Sequence, residues 1–354
     1  MPLVAHNNLP AFDDLHKEGQ IILSAERAVH QDIRALHVGF LNMMPDAALV
    51  STERQFFRLI GASNPIAQFY VYPFALPEQT RGKKAQQHIN EHYTTFENIQ
   101  AEGLDALIIT GANVTHDRLS QEVFWEPLIK VTKWAHQNVT STLCSCLATH
   151  AVLEAHHGQR RQHLGDKRWG VYPHWVKDPS HPLVSDINTH FDVPHSRYNV
   201  MTREQFEEAG LRILVEDNDG AVHLAVSGDG IRTIYFQGHP EYDEISLLKE
   251  YKREVVRYYN RERSDYPPFP EGYFDLTTQV ILDEYLDKLQ EAMVRCQAMP
   301  VFPEHLIKPR LQNTWHDSGL AIIGNWMGLV YQLTNTDRRL PFMDDVDPKN
   351  PLNL

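Results

Sequence analysis

The segment Ile231-Arg-Thr-Ile-Tyr-Phe-Gln-Gly-His239-Pro-Glu241 reads as a strand that runs into a histidine and a carboxylate two residues apart. In an extended chain, side chains at i and i+2 point the same way. Glu241 is therefore expected to orient the His239 imidazole and fix its tautomer, as a general base serving a nucleophile requires. The nucleophile is expected upstream, in Ser141-Thr-Leu-Cys-Ser-Cys146-Leu-Ala-Thr-His, where a short apolar run passes directly into a helical pattern. Cys146 sits at the junction. A sharp strand-to-helix turn lifts a side chain above a parallel sheet, and the N–H of the next residue, Leu147, is then free to stabilise an oxyanion. Cys144 and Ala148 are the small neighbours such a turn accommodates.

Each feature alone has a plainer explanation. Cysteine is among the most buried residue types and commonly serves as a small core hydrophobe. Among 20 histidines, one His-x-Glu after a strand is ordinary; the combination carries the reading. His156 and His157 follow Glu154 closely enough to raise the question of a metal, but helix histidines are mostly surface or half-buried, and no metal is expected. The chain has no Gly-x-Gly-x-x-Gly, no phosphate-binding loop and no His-Glu-x-x-His.

The elements that must position these groups alternate. Leu36–Leu41 is predicted as a strand, followed by a Met-Met-Pro turn and a helix with a capping box at Thr52 and Gln55. Strands are expected at Ile66–Tyr72 and Leu107–Ala112, and a helix near Phe124–Trp134 before the cysteine strand. Ser-Gly-Asp-Gly between Ala221–Val226 and Ile231–Phe236 signals a hairpin. Helices are expected at about Glu244–Tyr259 and, after the break at Tyr266-Pro-Pro-Phe-Pro270, at Val280–Cys296. Strands alternating with helices imply an α/β fold with a mostly parallel sheet, whose ligands sit at the carboxyl ends of the strands. Gly111, Cys146 and His239 would converge there. The expected organisation is an N-terminal arm over 1–35, a catalytic core over 36–262 and a C-terminal extension over 263–354 packed on that core.

Composition narrows the function. With 46 acidic and 33 basic residues among 354, the net charge is −13, which argues against a nucleic-acid binder and confines any anionic ligand to a local patch. Three cysteines, Cys144, Cys146 and Cys296, are an odd and sparse set that fits a reducing compartment. No basic-then-apolar leader opens the chain and no stretch approaches ~20 apolar residues. The expectation is a cytoplasmic protein with no membrane contact.

An ordered set of motifs spans nearly the whole chain: Gln31-Asp-Ile-Arg-Ala-Leu, Leu41-Asn-Met-Met-Pro45, Thr110-Gly-Ala, Ser141-Thr-Leu-Cys-Ser-Cys146, Gly170-Val-Tyr, Pro194-His-Ser-Arg-Tyr198, Gly238-His-Pro-Glu-Tyr-Asp243 and Asn325-Trp-Met-Gly-Leu-Val-Tyr-Gln332. In this set the chain resembles the homoserine O-acyltransferases, transsuccinylases and transacetylases that share the class I glutamine amidotransferase-like (flavodoxin-like) fold. The resemblance implies Cys146 as acyl-accepting nucleophile, rather than Cys144, with His239 as base and Glu241 as its partner. It also implies Lys167, Ser196 and Arg253 as substrate-binding residues. Chemically, an arginine can pair bidentately with an amino-acid carboxylate while a serine hydrogen-bonds to it; without the resemblance, Arg253 reads as a solvated helix charge and Lys167 as a loop cation.

The implied reaction is ping-pong transfer from an acyl-CoA to L-homoserine, the first committed step of methionine biosynthesis, with no bound cofactor and a homodimer as the assembly. Water must be kept from the acyl-enzyme, and the arm, the 158–170 loop and the C-terminal segment are the candidate covers. The oxyanion donors would be the Leu147 N–H and an N–H from the 111–115 loop. In the family, one position after Thr-Gly-Ala-x-x is glutamate in acetyl users and glycine in succinyl users. Here it is Thr115, small and neutral, which favours succinyl-CoA over acetyl-CoA. Departures from the family are Asp46 and Ala47 in place of two lysines, Asn113 in place of proline, and a longer segment around 273–299; they leave L-serine open as an acceptor. An amidotransferase-like amide hydrolase and a catalytically idle binding protein are the competing classes. Glutaminase elbows carry glycine on both sides of the nucleophile, unlike Cys144 and Ala148.

Overall fold

The computed structural model describes residues 3–64 and 66–354, organised around one eleven-stranded sheet. In chain order the strands are β1 Leu3–Ala5, β2 Ile22–Ser24, β3 Ala35–Leu41, β4 Gln68–Phe74, β5 Ala106–Ile109, β6 Ser141–Ser145, β7 Gln162–Val176, β8 His190–Val200, β9 Arg212–Glu216, β10 Val222–Val226 and β11 Thr233–Phe236. Their spatial order is β2-β1-β4-β3-β5-β6-β11-β10-β9-β7-β8. Every pair from β2 to β11 is parallel, and every pair from β11 to β8 is antiparallel.

The central strands are buried on both faces, as parallel strands between helix layers must be. Alternation divides their side chains between two cores. Val38, Phe40, Ile108 and Leu143 face a core shared with Phe56, Phe57 and Ile60 of the helix Leu49–Ser63 and with Ile322, Ile323 and Trp326 of the helix His316–Leu333. Leu41, Leu107, Ile109 and Cys144 face the other, with Leu128 and Val131 of the helix Trp125–Asn138 and Ala148 and Ala151 of the helix Leu147–His157. The β10–β11 hairpin forms as its turn residues predict.

Three expectations differ from what is found. The first 35 residues contribute β1 and β2 to the parallel edge of the sheet, although strands this short leave little pattern in sequence; Met1 and Pro2 of that arm lie outside the described residues. Thr52 and Gln55 are not a capping box. The helix starts at Leu49 from a turn in which Ala48 N donates to Pro45 O (2.8 Å), so both residues lie inside it. The 158–170 segment is not a loop: from Gln162 it is the long strand β7, paired with β8 across an irregularity between His163 and Arg168. Its polar, glycine-containing sequence is tolerated because the β7–β8 ribbon lies at the sheet's edge.

The C-terminal residues reach back to the sheet. Trp326 Nε1 donates to Ser141 Oγ at the start of β6 (2.8 Å), and Thr334 Oγ1 donates to the buried Asp105 carboxylate beside β5 (2.7 Å). Gly170 of β7 bridges to Glu271, so closely that a methyl group on Gly170 would lie 2.2 Å from Glu271 O.

Candidate active site

Cys146 occupies the corner between two strand ends and a helix. β6 lies between β5 and β11, all parallel, so Cys146 emerges at the carboxyl edge of the sheet. Its N–H donates to Phe236 O at the end of β11 (2.8 Å). Thr149, in the first helical turn, shares its hydroxyl between Cys144 O and Phe236 O, each at 2.9 Å. Held this way, Cys146 adopts φ +52° and ψ −109°, a conformation non-glycine residues keep only where the surroundings over-determine it, at a cost of about 1–3 kcal/mol. Leu147 opens the helix, where N–H groups have no intrahelical partner. The Gly111 backbone faces this corner: a methyl group on Gly111 would stand 3.7 Å from Cys146 Cβ and 3.8 Å from Leu147 N. Cys144 points into the opposite core, fully buried, and burial pushes its thiol far up. Cys296 is exposed.

His239 Nδ1 donates to Glu241 Oε1 (2.8 Å), which leaves Nε2 for the Cys146 sulfur. Burial opposes a charged ring, but Glu241 and Cys146 outweigh it and raise the imidazole well above its usual value. The pairing does not arise from strand alternation, as the sequence suggested. β11 ends at Phe236, and His239 and Glu241 belong to the turn beyond it, closed by Tyr242 N donating to His239 O (3.2 Å). That turn is braced from several sides. His239 N donates to Pro194 O of β8 (2.8 Å), and a methyl group on Gly238 would meet Val193 Cγ1 at 2.4 Å, so only glycine fits. Asp243 is clamped by Arg54 and Arg58 of the Leu49–Ser63 helix, and the Gln55 amide donates to Ser246 Oγ (2.9 Å). Trp315 Nε1 donates to Tyr242 O (2.8 Å).

Lys167 on β7 and Ser196 on β8 converge on one carboxylate, that of Glu250 on the helix Ser246–Tyr259: Lys167 Nζ at 3.1 Å and Ser196 Oγ at 2.6 Å, joined by Tyr242 OH at 2.9 Å. Tyr242 in turn stacks on His239 with ring centroids 4.3 Å apart. Burial works against ionised Glu250, but Lys167 and the two hydroxyls hold its carboxyl below the usual range. Arg253, one turn along, is not drawn into this cluster; its side chain is 58% exposed and lies 3.5 Å from Glu254. Sequence reasoning missed Glu250, because a helix acid three residues before an arginine looks like surface charge.

Thr115 is exposed, and its hydroxyl is not free: Thr115 N and Oγ1 both donate to Glu122, at 2.6 and 3.3 Å, and His116 N adds a bond of 2.7 Å. Those N–H groups hold Glu122 below the usual carboxylate range despite its desolvation. The Thr115 N–H is thereby removed from the candidate oxyanion donors. Thr115 lines a cavity of about 320 Å³ together with Met43, Pro45, Asp46, Arg81 and Asn113. Asp46, where the resembled family carries lysine, accepts from Gly82 N (2.7 Å) and pairs with Arg81 (3.5 Å). Among the described residues no helix is long and apolar enough to cross a membrane.

A mostly parallel α/β sheet that presents a strained cysteine beside a His–Glu pair defines a class of α/β proteins with a cysteine elbow. The family model for homoserine O-succinyltransferase matches residues 2–336. The homoserine O-succinyltransferase of Allochromatium vinosum is 60% identical over 354 residues, covering 100% of this chain and 99% of that one; that of Thioalkalivibrio nitratireducens is 59% identical over 353 residues, with 100% and 99% covered. The chain belongs to the homoserine O-succinyltransferase family. Solved glutamine amidotransferases are distantly similar: one from Thermotoga maritima at 10% identity and TM-score 0.44, covering 83% of this chain and 97% of that one, and one from Methylobacillus flagellatus at 11% and 0.45, covering 84% and 95%. The fold class stands on the strand order, not on these likenesses.

Proposed function

We propose that the protein transfers a succinyl group from succinyl-CoA to the hydroxyl of L-homoserine through a thioester on Cys146. The observation that carries this reading is His239, bonded to Glu241 through Nδ1 and facing Cys146 with Nε2. Family membership supports these substrates, and the Cys146–His239–Glu241 geometry supports a route through a thioester.

With the ring held protonated beside the sulfur, the proposed route starts from Cys146 reacting as the thiolate. The thiolate adds to the thioester carbonyl, and the oxyanion is received by the Leu147 N–H and a backbone N–H at Gly111 or Ala112. Collapse breaks the bond to CoA, whose sulfur takes the His239 proton. The neutral ring then accepts the homoserine hydroxyl proton as that oxygen attacks the acyl-enzyme, and Cys146 leaves as thiolate beside a regenerated imidazolium. On the acceptor side, Glu250 is suited to the α-ammonium and Arg253 to the α-carboxylate, with Lys167 and Ser196 holding Glu250 in place. Thr115 borders the donor side, where it adds no charge to repel a succinyl carboxylate.

The test is thiol release by the purified protein with succinyl-CoA or acetyl-CoA, and L-homoserine or L-serine as acceptor. Release that requires succinyl-CoA and L-homoserine, and is lost in Cys146→Ala, is the expected result. Activity with another pair would reassign donor or acceptor, and release that survives in Cys146→Ala would remove the thioester.

A further inference from the structure

Among the described residues, Arg197 is a buried cation with no salt-bridge partner. It stands on β8, 5% exposed. Its Nε donates to His195 Nδ1 (3.4 Å) and its Nη1 to Asn199 O (2.8 Å), while Nη2 has no hydrogen-bond partner. Neighbouring anions are already taken. Arg168, its cross-strand partner on β7, pairs with Asp217, and Lys167 pairs with Glu250. The adjacent rings offer no negative charge either: His195 Nε2 meets His174 Nε2 at 3.3 Å, and His174 Nδ1 faces Tyr172 O at 2.9 Å, a chain of bonds that suits two neutral imidazoles. Burial first, and Arg168 second, pull the Arg197 guanidinium down to about 10.

An uncompensated charge in such a place is costly to keep, and the fold keeps this one next to the reacting groups. Pro194 O, three residues earlier on the same strand, accepts the His239 N–H. His195, which shares a strand face with Arg197, lies 3.0 Å from where a Gly238 methyl would be. No hydrogen bond joins the Arg197 and Cys146 side chains. The guanidinium therefore stands off from the sulfur. A succinyl thioester carries its free carboxylate at the end of a two-methylene arm, which bridges a gap of that kind.

We propose that Arg197 receives the distal carboxylate of the succinyl group through Nη2 and so selects succinyl over uncharged acyl donors. The proposal rests on the succinyl-CoA and Cys146 reading above. Butyryl-CoA is the matched probe, with the same chain length and no carboxylate. The experiment compares single-turnover acylation of Cys146 by succinyl-CoA and butyryl-CoA, followed by mass spectrometry, in the wild type, Arg197→Gln and Arg197→Lys. Iodoacetamide alkylation of Cys146 without substrate is measured alongside.

Arg197→Gln is expected to slow succinylation about 10²- to 10³-fold, the range for losing one partner of a buried charge pair, to change butyrylation less than about 3-fold, and to leave alkylation unchanged. Arg197→Lys keeps the charge without the planar fork, and its succinyl-to-butyryl ratio should still fall about 10-fold. Equal loss with both donors, or slowed alkylation, would assign the guanidinium to the thiolate or the fold and overturn the proposal. Should Arg197→Gln not fold, an unchanged ratio in Arg197→Lys overturns it equally well. A wild type that is not acylated by succinyl-CoA at all sinks the underlying reading instead, whatever the variants do.

Discussion

The parallel and antiparallel halves of the sheet contribute different things to the site. The parallel half ends β5, β6 and β11 at one edge, and just beyond those ends stand Gly111, Cys146 and the turn bearing His239 and Glu241, the groups proposed above to carry the chemistry. The antiparallel half contributes Lys167, Ser196 and Arg197 from the β7–β8 ribbon, groups that are charged or hydrogen-bonding and touch no sulfur. On the proposed reading, the reacting groups stand just past the ends of short, doubly buried strands, while the recognition groups sit on a long ribbon at the sheet's edge. Precision is needed most where bonds change, and adjustable chemistry is tolerated where substrates are told apart.

The largest effect that tests this division compares β6 with the corner that follows it. Cys146→Ala should reduce transfer by at least on the order of 10⁴-fold, as removal of a covalent nucleophile does, whereas Cys144→Ala, two residues away, should keep activity within a few fold and cost about 1 kcal/mol of stability for the lost packing. Iodoacetamide provides a second readout: Cys144 should label at least about 10²-fold more slowly than Cys146, because burial holds it as a thiol. Comparable loss of activity in both variants would mean that the strand, not the elbow, carries the function.

The central parallel strands β3, β5 and β6 could be read in advance, as could the β10–β11 hairpin, whereas the three-residue strands β1 and β2 could not. Leu36–Leu41 and Leu107–Ile109 are largely apolar, and Ser141–Ser145 sets small and β-branched residues around Leu143 and Cys144, compositions that suit strands buried on both faces. The corner at Cys146 follows from where such a run becomes helical. The ribbon was not legible, because Gln162–Val176 mixes charge, glycine and aromatics, and what makes it a strand is pairing with β8 far along the chain. Glu250 and the Asp243 clamp were invisible for the same reason: their partners Lys167, Ser196, Arg54 and Arg58 are distant in sequence. Recognition of Lys167 and Ser196 came from resemblance alone.

Glu241→Gln acts on the parallel half through charge. It should lower turnover about 10²- to 10⁴-fold while leaving Cys146 in place. The His239 pKa is raised in the folded state, so the stability its proton confers is fully present below the ordinary imidazole value of about 6.5 and is lost as pH climbs through the raised value. Glu241→Gln should therefore bring the His239 titration, followed by NMR, to lower pH, and the Tm difference from wild type that arises from His239 should shrink as pH rises. An unmoved titration would show that Cys146 alone holds the ring charged. A smaller effect belongs to the other half: Glu250→Gln should raise the KM for L-homoserine about 10- to 100-fold and leave acylation of Cys146 by succinyl-CoA within a few fold. Slowed acylation would place Glu250 with the reacting groups and erase the boundary between the halves.

The smallest effect compares one motif in two settings. Thr-Glu-Arg-Gln at 52–55 and Thr-Arg-Glu-Gln at 202–205 are both capping-box sequences. Only the second is a capping box: Thr202 Oγ1 accepts from Gln205 N, and the Gln205 side chain accepts from Thr202 N (3.0 Å), opening the helix Arg203–Glu208. At 52–55 the helix has already begun at Leu49, Thr52 N donates to Ala48 O (2.9 Å), and Gln55 is drawn to Ser246 under the His239 turn. Thr202→Ala should thus cost about 1 kcal/mol in urea unfolding with turnover unchanged. Gln55→Ala should instead loosen the turn that holds His239, lowering turnover a few fold with little change in helix content. Identical costs and equal turnover in the two variants would mean that the tertiary demand on Gln55 is not what separates the two motifs.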